Sequence, residues 1–130
     1  MLDRQSVFNT VIAGFQSQDW QPSLAAPFYD DEYNEWVHPD DCVYRGPNNT
    51  RCAIGWLIPD DQYNPRWDQM VYGYNELPLD VRVNVLGAST PEDEEFYIEL
   101  QRAHDLCNGD LRSAMERFAK QYGLEFPANA

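Results

Sequence analysis

Positive charge is what this chain has least of. Its 130 residues carry 22 Asp and Glu against nine Lys and Arg, a formal net charge of −13, and the only lysine is Lys120. So little base argues against direct binding to nucleic-acid phosphates, which needs a basic footprint, and against docking on an anionic membrane. Long apolar runs are missing too, and nothing approaches the roughly 20 residues that cross a bilayer. The apolar residues near the N-terminus are interrupted by Asn9, Gln16 and Gln18, so no secretion signal is expected. Cysteine is scarce and odd in number. Three thiols cannot all pair within the chain, which points to a reducing compartment and a cytoplasmic location. There is no Gly-rich phosphate loop, zinc-protease helix or nucleophile-elbow sequence, and no internal repeat or low-complexity tract.

What remains is rich in core-forming material. Hydrophobic residues make up 43% of the chain, with four Trp, eight Tyr and six Phe. A single domain over residues 1–130 is expected to bury about two-thirds of its unfolded surface. Residues 3–18 read as an amphipathic helix: Val7, Phe8, Val11, Ile12 and Phe15 form one stripe, and Asp3 sits near the positive end of the helix dipole. From Asp19 to Asp41 the periodicity vanishes and Pro22, Pro27 and Pro39 intervene. This is expected to be a long ordered loop with acidic and aromatic character, of the kind that is usually functional or disordered.

Cys42 to Asp61 is the most informative stretch. Two short strand-like runs, Cys42-Val43-Tyr44-Arg45 and Arg51-Cys52-Ala53-Ile54-Gly55-Trp56-Leu57-Ile58, flank Gly46-Pro47-Asn48-Asn49. That arrangement predicts a β-hairpin, with Ile54, Trp56 and Ile58 on its buried face. The block resembles a family of short, largely uncharacterised proteins of bacteria and their phages. In them a Tyr-Arg-Gly turn precedes a Cys-Ala-Ile-Gly strand and an Ile-Pro-Asp exit. The resemblance continues at Leu100-Gln101 and His104-Asp105; it implies a phage or prophage association and no activity.

Further along, Asn64-Pro65 starts a short helix carrying Trp67, Met70 and Val71 before Gly73. Leu77, Leu79, Val81, Val83 and Val85 alternate with polar residues and Pro78, which predicts a half-buried third strand, with a helix begun at Pro78 as the rival. Thr90-Pro91-Glu92-Asp93 opens a helix with the stripe Phe96, Leu100, Ala103, His104 and Cys107, stopped by Asn108-Gly109. Asp110 caps a last helix bearing Leu111, Met115, Phe118 and Tyr122, ended by Gly123. The fold class is therefore α+β: an N-terminal helix, a hairpin or three-stranded antiparallel sheet, and two C-terminal helices.

Several residues could carry chemistry. His104 and Cys107 share a helix face, and with Cys42 and Cys52 would make a three-thiolate, one-imidazole zinc site. The separation of ten residues between Cys42 and Cys52 departs from zinc spacing, so buried reduced thiols and no metal or cofactor are expected. A small enzyme using Cys42 or Cys52 with His104 as base is the alternative function. Asp105 is not expected to orient His104, because neighbours on a helix point about 100° apart. The His104-Asp105 pair also resembles the ligand dipeptide of metal-dependent phosphohydrolases, whose remaining histidines are missing here. Arg45 at the turn could hold a partner's acid, or pair with Asp60 or Asp61.

The acidic aromatic segment carries the functional expectation. Asp30, Asp31, Glu32, Glu35, Asp40 and Asp41 stand there with no lysine or arginine among them, interleaved with Tyr29, Tyr33 and Trp36. Aromatic anchors ringed by carboxylates suit a basic partner. Against a solvated loop with inward rings stands an interaction protein: an acidic, non-enzymatic inhibitor that mimics DNA in the groove of a basic, nucleic-acid-handling host protein. Its partner-binding residues would be Asp30, Asp31, Glu32, Tyr33, Glu35, Trp36 and Arg45.

Overall fold

Capping chemistry sets the ends of the three long helices. In the computed structural model, which describes residues 2–37, 42–69, 74 and 77–127, the Asp3 carboxylate accepts the Ser6 N–H at 3.1 Å and starts α1 (Arg4–Ser17). Thr90 accepts the Asp93 N–H at 3.1 Å, Pro91 follows where no N–H is needed, and α3 runs Pro91–Asp105. Asp110 accepts the Ser113 N–H at 3.2 Å and opens α4 (Leu111–Tyr122). Gly123, at φ 66°, closes α4 while the Leu124 N–H reaches back to the Ala119 carbonyl at 2.8 Å.

The apolar stripes of these helices meet in one core. Phe8 of α1 stacks on Phe118 of α4 at 5.8 Å, Phe118 lies 5.5 Å from Phe96 of α3, and Phe15 stacks on the His104 ring at 5.7 Å. After α1, Asp19 and Trp20 take left-handed backbone. The Trp20 N–H bonds back to the Phe15 carbonyl at 2.9 Å, and its ring reaches Phe126 at 6.0 Å, so packing offsets the strain at this bulky residue.

The expected hairpin over residues 42–61 is corrected. Only one antiparallel bridge, Arg45 with Arg51, survives on either side of the Pro47–Asn49 turn, and the second arm is a short helix, α2 (Ala53–Leu57). Tertiary partners decide this. The Cys52 N–H bonds the Tyr44 carbonyl at 3.2 Å, the Cys52 sulfur accepts the Gly55 N–H at 3.3 Å, and the Gln101 side chain accepts the Ile54 N–H at 3.1 Å. These satisfy donors that a helix start leaves unpaired. Gly55 is required by close approach: a Cβ there would sit 2.1 Å from the Tyr44 oxygen. Trp56 in turn lies flat on Gly14 of α1, where a Cβ would meet its ring at 2.3 Å.

The third strand is also corrected. Pro78 begins a helical segment whose last part, Val81–Val85, is a π-turn. Leu77 and Val81, four apart, face the core, while Leu79 and Val83 are exposed, so the apparent alternation does not divide a strand into two faces. Asn64 does cap a following turn, accepting the Arg66 N–H at 3.0 Å, but it is a 3-10 helix over Pro65–Gln69; Met70, Val71 and Gly73 lie outside the described residues.

The sheet sits instead inside the segment expected to be a loop. β1 (Phe28–Asp30) and β2 (Glu35–Val37) pair antiparallel, with Phe28 opposite Val37, Tyr29 opposite Trp36 and Asp30 opposite Glu35. It is two-stranded among the described residues. The architecture is α+β, a helical core with a small projecting hairpin. Among the described residues, no helix is long and apolar enough to cross a membrane.

Candidate functional site

A buried polar relay holds the root of the hairpin. His104, fully buried on α3, accepts the Ser23 backbone N–H on Nε2 at 3.0 Å. A backbone N–H can only donate, so Nε2 carries the lone pair and the neutral ring holds its proton on Nδ1. That proton is donated to the Asp105 carboxylate at 3.0 Å. Gln101, one turn earlier, donates to the same carboxylate oxygen at 2.9 Å, while its carbonyl takes the Ile54 N–H. The Ser23 carbonyl accepts the Val43 N–H at 3.1 Å, and Leu24 bridges to Cys42. His104 therefore holds the first end of the excursion that carries the hairpin, and through Ser23 and Leu24 that end pairs with the returning chain at Cys42 and Val43. Asp105 does orient His104, against the sequence expectation, because Gln101 steadies the carboxylate from the preceding turn.

The same geometry speaks to the chemical alternatives. Cys42, His104 and Asp105 present ligand atoms within 4.8 Å of one another. Cys52 and Cys107 are not part of that cluster among the described residues; all three cysteines are thiols. A metal on Nδ1 would require a proton on Nε2, which would then face the Ser23 N–H, donor against donor. The donor set therefore does not fit a metal as it stands. Cysteine activation meets the same obstacle, since neither ring nitrogen has a lone pair left for a thiol proton. Cys52 is fully buried, and burial pushes its thiol well above the usual range. Its sulfur serves as the cap of α2.

Arg45 is occupied by the fold. Its guanidinium meets Asp60 at 2.7 Å and the Ile58 carbonyl at 2.8 Å, and lies 4.2 Å over the Tyr63 ring, with the side chain 20% exposed. The Tyr44 and Arg45 N–H groups are both taken by Asp68, at 2.6 and 3.3 Å, and Tyr63 donates to the same carboxylate. Burial nonetheless raises the Asp68 carboxyl above its ordinary range. The acids at the start of α3 are likewise structural: Glu94 pairs with Arg82 at 3.2 Å, and Asp93 accepts the Ser89 N–H at 3.1 Å.

The hairpin is different. Asp30 accepts the N–H groups of Glu32 and Tyr33 at 2.9 and 3.4 Å, and Asn34 takes the left-handed angle that closes the turn. Its aromatic rings face water: Phe28 is 53% exposed, Tyr29 45%, Tyr33 69% and Trp36 63%. Tyr29 and Trp36, directly opposite, meet edge to face at 5.7 Å on one side of the ribbon. Asp30 and Glu35 are opposite each other on the other side, a like-charge pair that costs stability. Among the described residues, no ion pair involves Asp30, Asp31, Glu32 or Glu35. Six of the seven expected binding residues are thus brought together on one element, with Asp40 and Asp41 outside the described residues. The roles of Ser23 and Gln101 escaped sequence reasoning; the spacing of Gln101, His104 and Asp105 along one helix was the available signal.

No protein-family model, curated protein or solved structure matches the chain.

Proposed function

We propose that this chain is an acidic, non-enzymatic interaction protein whose hairpin, residues 28–37, enters a basic groove of a protein that handles nucleic acid and blocks it by imitating phosphate charge. The observation that carries the reading is the hairpin itself: four large rings turned to solvent, with carboxylates on the same ribbon that make no ion pair among the described residues. A fold optimised for stability alone would not leave Phe28, Tyr29, Tyr33 and Trp36 in water on one short ribbon. Rings supply contact area, and the surrounding carboxylates steer a cationic partner and set its orientation. A phage or prophage setting, with a host protein as target, accords with the family resemblance in the Tyr44-Arg45-Gly46 and Cys52-Ala53-Ile54-Gly55 blocks. The engaged nitrogens of His104 and the buried Cys52 weigh against the thiol enzyme or zinc domain.

The test is capture from host lysate at low and high salt, using the wild-type chain and the double variant Asp31→Lys/Glu32→Lys, which leaves the turn-forming Asp30 in place. Expected is a basic nucleic-acid-binding protein held at low salt, displaced by duplex DNA and lost with the variant. Capture unaffected by the variant, or indifferent to DNA, would overturn the reading.

A further inference from the structure

Beside the hairpin root lies a cleft of about 500 Å³, between the end of α1, the chain leading into β1 and the Pro47–Asn49 turn. Its walls are rigid. Three prolines, Pro22, Pro27 and Pro47, line it together with Leu24. Gln18 ties its floor, its amide donating to the Gln21 and Arg51 carbonyls at 2.6 and 3.1 Å and accepting the Arg51 N–H and the Trp56 indole N–H at 2.9 and 3.0 Å. Thr50 is locked by its hydroxyl bond to the Pro47 carbonyl at 2.8 Å. The cleft is therefore built before any ligand arrives, which removes an ordering cost from binding.

Its charge is one-sided. Among the lining residues Asp19 alone is ionisable, and no described ion pair neutralises it. Asp19 and Asn48 both sit in left-handed backbone, at φ 53° and 60°, a conformation that asparagine and aspartate tolerate. Prolines offer no donors and a flat apolar surface, so the complementary occupant has an aliphatic stem and a weakly hydrated cationic head. An arginine side chain has that form; its stem would lie on the prolines and its head against the carboxylate. The cleft runs directly into the proposed docking element, because Leu24 and Pro27 are the approach to Phe28.

We propose that this cleft is a receptor for an arginine side chain of the basic partner, a second anchor beside the hairpin. The inference rests on the proposed function for its partner, and the binding chemistry is testable alone. The probe is N-acetyl-arginine amide, with N-acetyl-citrulline amide as its uncharged counterpart of the same shape, followed by amide NMR shifts on the full chain. Saturable shifts at Asp19, Gln21, Asn48 and Thr50 are expected with the arginine probe and not with citrulline. Asp19→Asn, compatible with the left-handed angle, should weaken binding about fivefold, the loss of one solvent-exposed charge pair. Ala25→Phe, which adds a ring to the lining, should abolish it, while Asp31→Lys/Glu32→Lys should leave these shifts in place. Equal response to citrulline, no effect of Asp19→Asn, or shifts spread evenly over the acidic surface would overturn the cleft. Loss of partner capture from the hairpin variant is a separate outcome, so either reading can fail without the other.

Discussion

Replacing His104 by phenylalanine keeps a ring of similar size against Phe15 and removes both nitrogens. The Ser23 N–H, buried with its residue at 0% exposure, then loses its acceptor. A buried donor left without a partner costs about 1–3 kcal/mol. Asp105 also loses its donor, but its carboxylate is 30% exposed and still held by Gln101, so water recovers part of that term. The expected loss is about 2–4 kcal/mol in urea unfolding, with the slope against denaturant unchanged. His104→Ala should lose more, because it adds a cavity beneath Phe15. The clamp also makes a local claim. Hydrogen exchange should speed up at the Ser23 and Val43 amides in His104→Phe by more than the global loss of stability accounts for. A change below about 1 kcal/mol, with protection at Ser23 retained, would refute the account of His104 as a structural clamp.

Charge reversal of Asp31 and Glu32 to lysine, which spares the Asp30 carboxylate that holds the turn, should leave the melting temperature nearly unchanged and slow partner association, with the deficit shrinking as salt rises; Tyr33→Ala or Trp36→Ala should instead speed dissociation, all read by binding kinetics at two ionic strengths. Gly55→Ala places a methyl against the Tyr44 carbonyl and should cost about 1–3 kcal/mol or more in thermal unfolding; an unchanged midpoint would mean that α2 moves freely from that backbone. Asp93 accepts the Ser89 N–H, which holds its carboxyl below the ordinary 3.8. Its contribution is therefore complete above about pH 5 and lost as pH falls through the lowered value, so Asp93→Asn should lower stability at pH 7 and converge with wild type in acid, read by urea unfolding across pH. Elemental analysis of protein purified without chelator should find no stoichiometric zinc, as the engaged nitrogens of His104 require.

The three long helices were legible because their signals are local. A cap at Asp3, Thr90 or Asp110 is decided by the side chain and the next three N–H groups, and Gly123 ends α4 through its own backbone freedom. The apolar stripes that fill the core follow from the same helical period. The concentration of aromatic rings and acids between Tyr29 and Trp36 was equally plain in the sequence. What it could not say was that these residues form a ribbon, because three-residue strands are too short for alternation to register and only Asn34 marked the turn.

Short apolar runs were where tertiary structure took over. Cys52 to Ile58 contains too few residues for a period of two to be told from 3.6. The helical outcome depends on Gln101, 47 positions away from Ile54, and on the space that Gly55 leaves for Tyr44. Leu77 to Val85 looked alternating, but the core takes Leu77 and Val81, four residues apart, and leaves Leu79 and Val83 outside. The candidate site divides along the same line. Charge and ring content belong to the residues themselves. The meeting of Ser23, Gln101, His104 and Asp105, the commitment of Arg45 to Asp60, and the outward face of the hairpin rings arise from contacts distant in sequence, which no local pattern encodes.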